Sequence, residues 1–233
     1  MDQPPIRINR IRHLFISVVL LFAVVLGLEN TGLDMVFQHI LYRNGAWLVD
    51  NTQPVIRFIF YDAPKKLLVL YAILILLALV LSFVVKPLRR FRTRNNVFIL
   101  LCLLLVPAVV GLGKKETHVH CPYQLQEFGG DVPYVTLFQA NRYETPGRCF
   151  PAGHASGGFA LLLFALIAAT RRQQMAALTG AMALGWAMGG YQMVNGRHFL
   201  SHTLTTILLA WIVILLVHLA LFGNRPNPAQ TRE

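Results

Sequence analysis

Charged side chains are what this sequence has least of. Asp, Glu, Lys and Arg together make up 13% of its 233 residues, about half the share of an ordinary water-soluble domain. That deficit excludes water as the solvent for most of the chain. Cysteine is rare too: three residues are too few for a disulfide scaffold. Two of them, Cys121 and Cys149, fall in one polar loop, while Cys102 sits in an apolar run. There is no internal repeat and no low-complexity tract. Nor does a small-residue cleavage pattern follow the first apolar run, where Glu29-Asn30-Thr31 stands instead, so that run reads as an uncleaved span and not a signal peptide.

Apolar residues fill the space left by the missing charge. They make up 55% of the chain, and the mean hydropathy is +0.54. Crossing the hydrocarbon core takes about 20 mostly apolar residues in a helix, because backbone polar groups cannot be left unpaired in lipid. Six stretches come close to this: residues 11–28, 67–85, 97–112, 154–170, 175–194 and 203–222. The third and fourth are short, but their ends run into the polar loop at 114–154, into which the helices can extend. The expected fold is all-α, a polytopic membrane bundle of six transmembrane helices forming a single domain over residues 1–233. Residues 34–61 mix Phe37, Tyr42, Trp47, Phe58 and Tyr61 with scattered charges, which suits an interfacial segment after the first helix. Residues 223–233 read as a short cytoplasmic tail.

The formal charge of +11 raises the question of nucleic acid, and its distribution answers it. With the N-terminus on the inner side, twelve of the 21 Lys and Arg fall inside, against Asp2 and Glu233 alone. The cluster from Lys86 to Arg94 is the strongest part of this bias, which sets orientation and lies beside anionic lipid. No nucleic-acid partner is expected. Both termini are expected in the cytoplasm.

This topology brings Lys114, His154 and His198 to the outer face, and ionisable groups gathered at one depth of a membrane bundle mark a functional site by default. Pro151-Ala152-Gly153-His154 feeds straight into the fourth span. Such a turn offers free backbone N–H groups and a positive helix end to an anion, and glycine allows close approach. Arg148 lies just upstream. In Asn195-Gly196-Arg197-His198-Phe199-Leu200-Ser201-His202 the two histidines are four apart and share a helix face. An imidazole can attack phosphorus or move a proton at neutral pH, and Arg197 can neutralise an oxyanion. Lys114 can clamp phosphate or simply snorkel at the end of the third span.

These blocks, in this order, resemble the phosphatidic acid phosphatase type 2 superfamily. Its pattern is Lys-x6-Arg-Pro, Pro-Ser-Gly-His and Ser-Arg-x5-His-x3-Asp. Here Lys114 leads to Cys121-Pro122, Pro151 to His154 form the second block, and Tyr191-Gln192 precede His198 and His202 at the family spacing. The resemblance covers roughly the C-terminal half. It implies a membrane phosphatase of the bacterial inner membrane, working at the periplasmic face through a phosphohistidine and without a metal or other cofactor. His198 would be the nucleophile and His154 the general acid, with Lys114 and the Gly153 backbone binding phosphate. The implied partners are membrane lipid and a lipid phosphate or diphosphate substrate: undecaprenyl diphosphate, phosphatidic acid, phosphatidylglycerol phosphate or lipid A phosphate. Oligomeric state is left open.

Four positions depart from the pattern: Cys121 for Arg, Ala152 for Ser, Tyr191-Gln192 for Ser-Arg and His202 for Asp. Arg148 and Arg197, nearest the two catalytic histidines in sequence, are expected to replace the lost arginines, and His202 to hydrogen-bond His198. Cys121 and Cys149 both lie on the outer side, where disulfides persist. A bridge would tie the first block to the second; the alternative is two separately buried thiols. Two other functions fit the same residues. One is a lipid phosphotransferase. The other is a catalytically weak protein binding anionic lipid, or a metal through three of His118, His120, His154, His198 and His202.

Overall fold

In the computed structural model, residues 3–50, 53–142 and 145–223 are described, and the expected tail at 224–233 lies outside them. The chain is an all-α helix bundle. Helix α1 (Arg10–Thr31) starts where the Asn9 side chain accepts from the Arg12 N–H at 3.1 Å, and ends at left-handed Gly32. Helix α2 (Leu33–Leu41) follows, then a hairpin of β1 (Tyr42–Arg43) and β2 (Ala46–Trp47). Helix α3 spans Pro54–Leu81 and α4 spans Arg94–Glu116. Between them, Lys86–Phe91 form a 3-10 turn that holds part of the basic cluster. Helix α5 (Gly153–Ile167) is broken by a 3-10 turn at Leu161–Leu163. Helices α6 (Arg171–Val194) and α7 (Leu200–Phe222) complete the bundle.

Helices α1, α3, α4 and α7 are long and apolar enough to cross a membrane, so the protein is a multi-pass membrane protein. Two expected boundaries move. The helix of the second span begins at Pro54 instead of residue 67, so residues 54–61 are the first turns of α3. The third runs on to Glu116, which makes Lys114 helical. Helix α5 is shorter than the residues a span needs. Helix α6 has the length, but Gln173, Gln174 and four glycines dilute its apolar surface.

Helix α5 is the centre, packed by α4, α6 and α7, while α1 lies along α7 and α3 along α4. Phe98, Cys102, Val106, Phe159, Leu163 and Ile214 fill the core. Gly158 serves close packing: a Cβ there would lie 2.6 Å from the Gly185 Cα of α6. The N-terminal segment is tied across the end of the bundle, with the Gln174 amide accepting from the Ile6 N–H at 2.7 Å and donating to the Ile6 carbonyl at 3.0 Å. At the opposite end, α2 and the hairpin cover the α6–α7 turn. Gln38 donates to the Met193 carbonyl at 3.0 Å, and the Trp47 ring lies directly on Gly196.

Candidate active site

The three sequence blocks meet where α4 ends and α5 and α7 begin. After Thr117, whose hydroxyl donates to the Phe150 carbonyl at 2.6 Å, the chain runs alongside its own later segment. Gly147 N–H donates to the His118 carbonyl at 3.0 Å, and Cys149 N–H to the Val119 carbonyl at 2.9 Å. Gly147 is required here, because a Cβ would collide with the Val119 carbonyl. Cys121 and Cys149 form a disulfide across this pairing. His118 and His120 are committed to the loop: His118 Nδ1 lies 2.9 Å from Asn141 Oδ1, and His120 Nε2 lies 2.8 Å from the Thr145 carbonyl.

The Pro-Ala-Gly-His turn is fixed on both sides. Pro151 sits against Gly113 on the last turn of α4. Ala152 N–H donates to the His202 carbonyl at 3.2 Å, and its own carbonyl accepts from the Thr206 hydroxyl at 3.2 Å. Half-buried Lys114 arches over Gly153: a Cβ on that glycine would lie 3.3 Å from the Lys114 Nζ. A cation thus stands beside the N-terminus of α5, where unpaired N–H groups and the helix dipole favour an anion.

The loop from Asn195 to Phe199 delivers His198. The Gln192 carbonyl accepts from the N–H groups of Arg197, at 2.7 Å, and His198, at 3.2 Å. His198 is buried, 2% exposed. Its Nδ1 lies 3.4 Å from His202 Nδ1 and 3.5 Å from Cys149 Sγ, while its Nε2 has no hydrogen-bond partner. Burial holds the His198 imidazole well below its ordinary range, with His202, Lys114 and His154 adding to the effect. The ring is therefore neutral at physiological pH, with a lone pair to offer. The His154 ring lies 6.0 Å from that of His198, centroid to centroid.

The arginines expected to replace the lost clamp separate. Arg197 is half-buried with its guanidinium 4.3 Å from the centre of the Tyr123 ring, and its charge reaches His154. Arg148 is exposed between buried Gly147 and Cys149. Extended backbone alternates its faces, so Cys149 turning inward for the disulfide sends Arg148 outward to solvent. Tyr191 and Gln192 are both buried, and Tyr191 stacks with Phe60. Among the described residues, the only group spaced to hold a metal is Cys149, His198 and His202. Its sulfur is already spent in the disulfide.

Two residues of α3 stand at the site although no sequence block contains them. Tyr61 lies 2.9 Å from His154 Nε2, and Lys65 lines the same cavity as Lys114, Gly153 and His154. That cavity holds about 470 Å³. Below its cationic mouth the walls are apolar, made by Leu68, Ala72 and Leu76 of α3 and Leu100, Leu104 and Pro107 of α4. Tyr61, Lys65, Leu68 and Ala72 follow helical spacing. The spacing of Lys65 with Leu68 and Ala72 is the signal that could have found the lysine; Tyr61 stands in a turn that the sequence does not mark.

Residues 95–226, more than half of the chain, match the PAP2 superfamily. The chain belongs to that superfamily. The match opens at the start of α4 and closes beyond α7, so it takes in all three blocks and leaves out α1 to α3. The chain is also similar to a lipid A 4'-phosphatase of Francisella tularensis subsp. novicida (strain U112), at 24% identity over 208 residues, 86% of this chain and 93% of that protein. No solved structure matches it. The protein is a phosphoric ester hydrolase of the membrane lipid phosphatase class.

Proposed function

We propose that the protein removes phosphate from a lipid phosphate monoester at the periplasmic face of a bacterial inner membrane, through a phosphohistidine on His198. In this reading α5 and α6 also cross the membrane, giving six spans with both termini in the cytoplasm. The charge asymmetry of the sequence supports that orientation.

The observation that carries the mechanism is the state of His198. Its Nδ1 is engaged by His202 and its Nε2 is free, so the neutral ring donates its Nδ1–H to the His202 Nδ1 and keeps the Nε2 lone pair. Nε2 attacks phosphorus, and the P–N bond forms as the P–O bond to the lipid breaks. His154 gives the leaving oxygen its proton. Lys114, Arg197 and the N–H groups at Gly153 stabilise the charge on the equatorial oxygens. Water then attacks the phosphohistidine, its proton passes to His154, and inorganic phosphate leaves with His198 restored.

The apolar cavity beneath Lys65 and Lys114 suits the tails of a lipid. The similarity to a lipid A 4'-phosphatase supports a sugar-linked lipid phosphate, which makes lipid A the first substrate to test. The test is phosphate release from a panel of lipid A, phosphatidic acid, phosphatidylglycerol phosphate and undecaprenyl diphosphate, with and without EDTA. Wild type should release phosphate from at least one, EDTA should leave the rate unchanged, and His198→Ala should abolish it. Release by His198→Ala at the wild-type rate would overturn the mechanism.

A further inference from the structure

The matched family region begins only after α3, yet α3 touches the general acid of the proposed reaction. Its contact comes from a local irregularity. Phe58–Asp62 form a single π-turn, closed by the Ala63 N–H donating to the Phe58 carbonyl. A π-turn inserts one residue into the helical register, and such turns concentrate at functional sites. Here it presents Tyr61 to His154: the hydroxyl is 2.9 Å from Nε2 and the rings are 4.5 Å apart. The turn is held in place by an Arg57–Asp62 ion pair at 3.6 Å. Arg57 and Lys65 lie 5.6 and 5.7 Å from the centre of the Tyr61 ring. The other ring nitrogen, His154 Nδ1, is buried and has no partner.

We infer that Tyr61 is the positioning residue of the general acid: its oxygen accepts from His154 Nε2–H throughout the cycle, so that only Nδ1 exchanges a proton with substrate. This rests on the phosphohistidine reading above. The bound phosphate dianion offsets the Lys114, Lys65 and Arg197 charges around His154 and lets it hold both protons. In the first step this imidazolium passes its Nδ1 proton to the leaving alkoxide as the P–O bond breaks. Nε2–H stays on Tyr61, and His154 becomes neutral with its lone pair on Nδ1. In the second step that lone pair takes the proton of the attacking water, which restores the imidazolium. Without the hydroxyl, the neutral ring exchanges between two tautomers, and one of them presents an N–H where a base is needed. An imidazole whose working nitrogen is fixed by a partner on the other follows the same logic as other oriented histidines.

The test compares leaving groups. A lipid alkoxide needs its proton, whereas the nitrophenolate of p-nitrophenyl phosphate leaves without one. Tyr61→Phe should lower kcat on the lipid phosphate about tenfold, the upper range for one neutral hydrogen bond, with KM little changed. The rate on p-nitrophenyl phosphate should fall by a similar factor, because the neutral ring is the base of the second step, which both substrates share. Phe58→Leu, on the same turn but away from His154, should keep both rates. The His154 nitrogen resonances of labelled protein give a second readout: an Nε2–H tautomer in wild type and a mixture in Tyr61→Phe. No loss on either substrate, a loss confined to the lipid phosphate, or an unchanged tautomer in Tyr61→Phe would overturn the assignment. If His198→Ala retains wild-type release, the phosphohistidine reading fails first, and the nitrogen resonances still decide whether Tyr61 fixes the ring.

Discussion

His198 and His202 face each other through their Nδ1 atoms at 3.4 Å, one at the end of a loop and the other in the first turn of α7. Only one of two neutral imidazoles can donate in such a pair. In the proposed reaction His198 is the donor, so His202 presents a lone pair and keeps its own proton on Nε2. A neutral partner orients the nucleophile but stabilises a developing imidazolium less than a carboxylate would. His202→Ala is expected to lower kcat on the order of 10²-fold, short of the roughly 10⁴-fold seen when a serine protease loses its carboxylate partner. Phosphate release by protein with an unchanged melting temperature checks this.

The pH dependence follows from the burial of His198. Its folded-state pKa is depressed, so the nucleophile stays neutral below the ordinary histidine value of about 6.5. Falling pH should therefore remove activity through His198 only as the lowered pKa is crossed, while loss of the His154 proton sets the high-pH side of the profile. Stability has the same sign. The unfolded chain binds this proton first, so the contribution is complete above about pH 6.5 and is lost as pH falls below it. A kcat/KM profile and melting curves between pH 4 and 8 test both.

Asp34 caps the helix that carries His202. Its Oδ1 accepts from the Ser201 N–H at 2.9 Å, and its carboxylate is 3% exposed. Burial raises its pKa in spite of that hydrogen bond, so ionisation here is a cost and the acceptor is what stabilises. Asp34→Ala should lose roughly 1 kcal/mol, the usual value of a helix cap. Asp34→Asn, which keeps an acceptor oxygen, should lose less. Thermal unfolding in detergent orders the three proteins.

The Cys121–Cys149 disulfide closes a loop with a sequence separation of 28, worth about 3–4 kcal/mol on the loop-entropy view. Because Cys149 Sγ also lies 3.5 Å from His198 Nδ1, its loss should reach the nucleophile. Reduction, or the double change to serine, is expected to lower the melting temperature and activity together. Cys102→Ser should leave activity intact. Non-reducing mass spectrometry reads the bond directly.

Arg197→Ala should reduce kcat/KM by about 10- to 100-fold, as for loss of one charge-assisted hydrogen bond. Arg148→Ala should stay within about twofold of wild type. Parallel kinetics on one substrate decide between them.

The sequence made much of this legible, and the failures have physical causes. Lys114 and His154 could be brought together because hydropathy and charge placed both at the same side of the bundle, and the cap of α5 fixed the rest. The pairing of His198 with His202 followed from their spacing, although the helix itself begins only at Leu200. The outward turn of Arg148 was not legible, because the neighbouring cysteine decides which way the extended chain turns. Tyr61 was hidden by Asp62-Ala63-Pro64-Lys65-Lys66, which reads as a helix start with proline in its first turn. The π-turn lets that proline sit inside a longer helix, and hydrophobic periodicity carries no trace of such an insertion.

The Trp47 ring resting on Gly196 has a meaning for how this catalytic unit can be moved or trimmed. Residues 95–226 contain all three sequence blocks, yet the loop bearing His198 is roofed by a hairpin from outside that region, and the helix after it is capped by Asp34. The recognisable half is therefore not a portable module. Grafted or expressed alone, it would carry the right side chains on a loop with no ceiling, and homologues that differ in their first three helices have to solve the same problem with other residues.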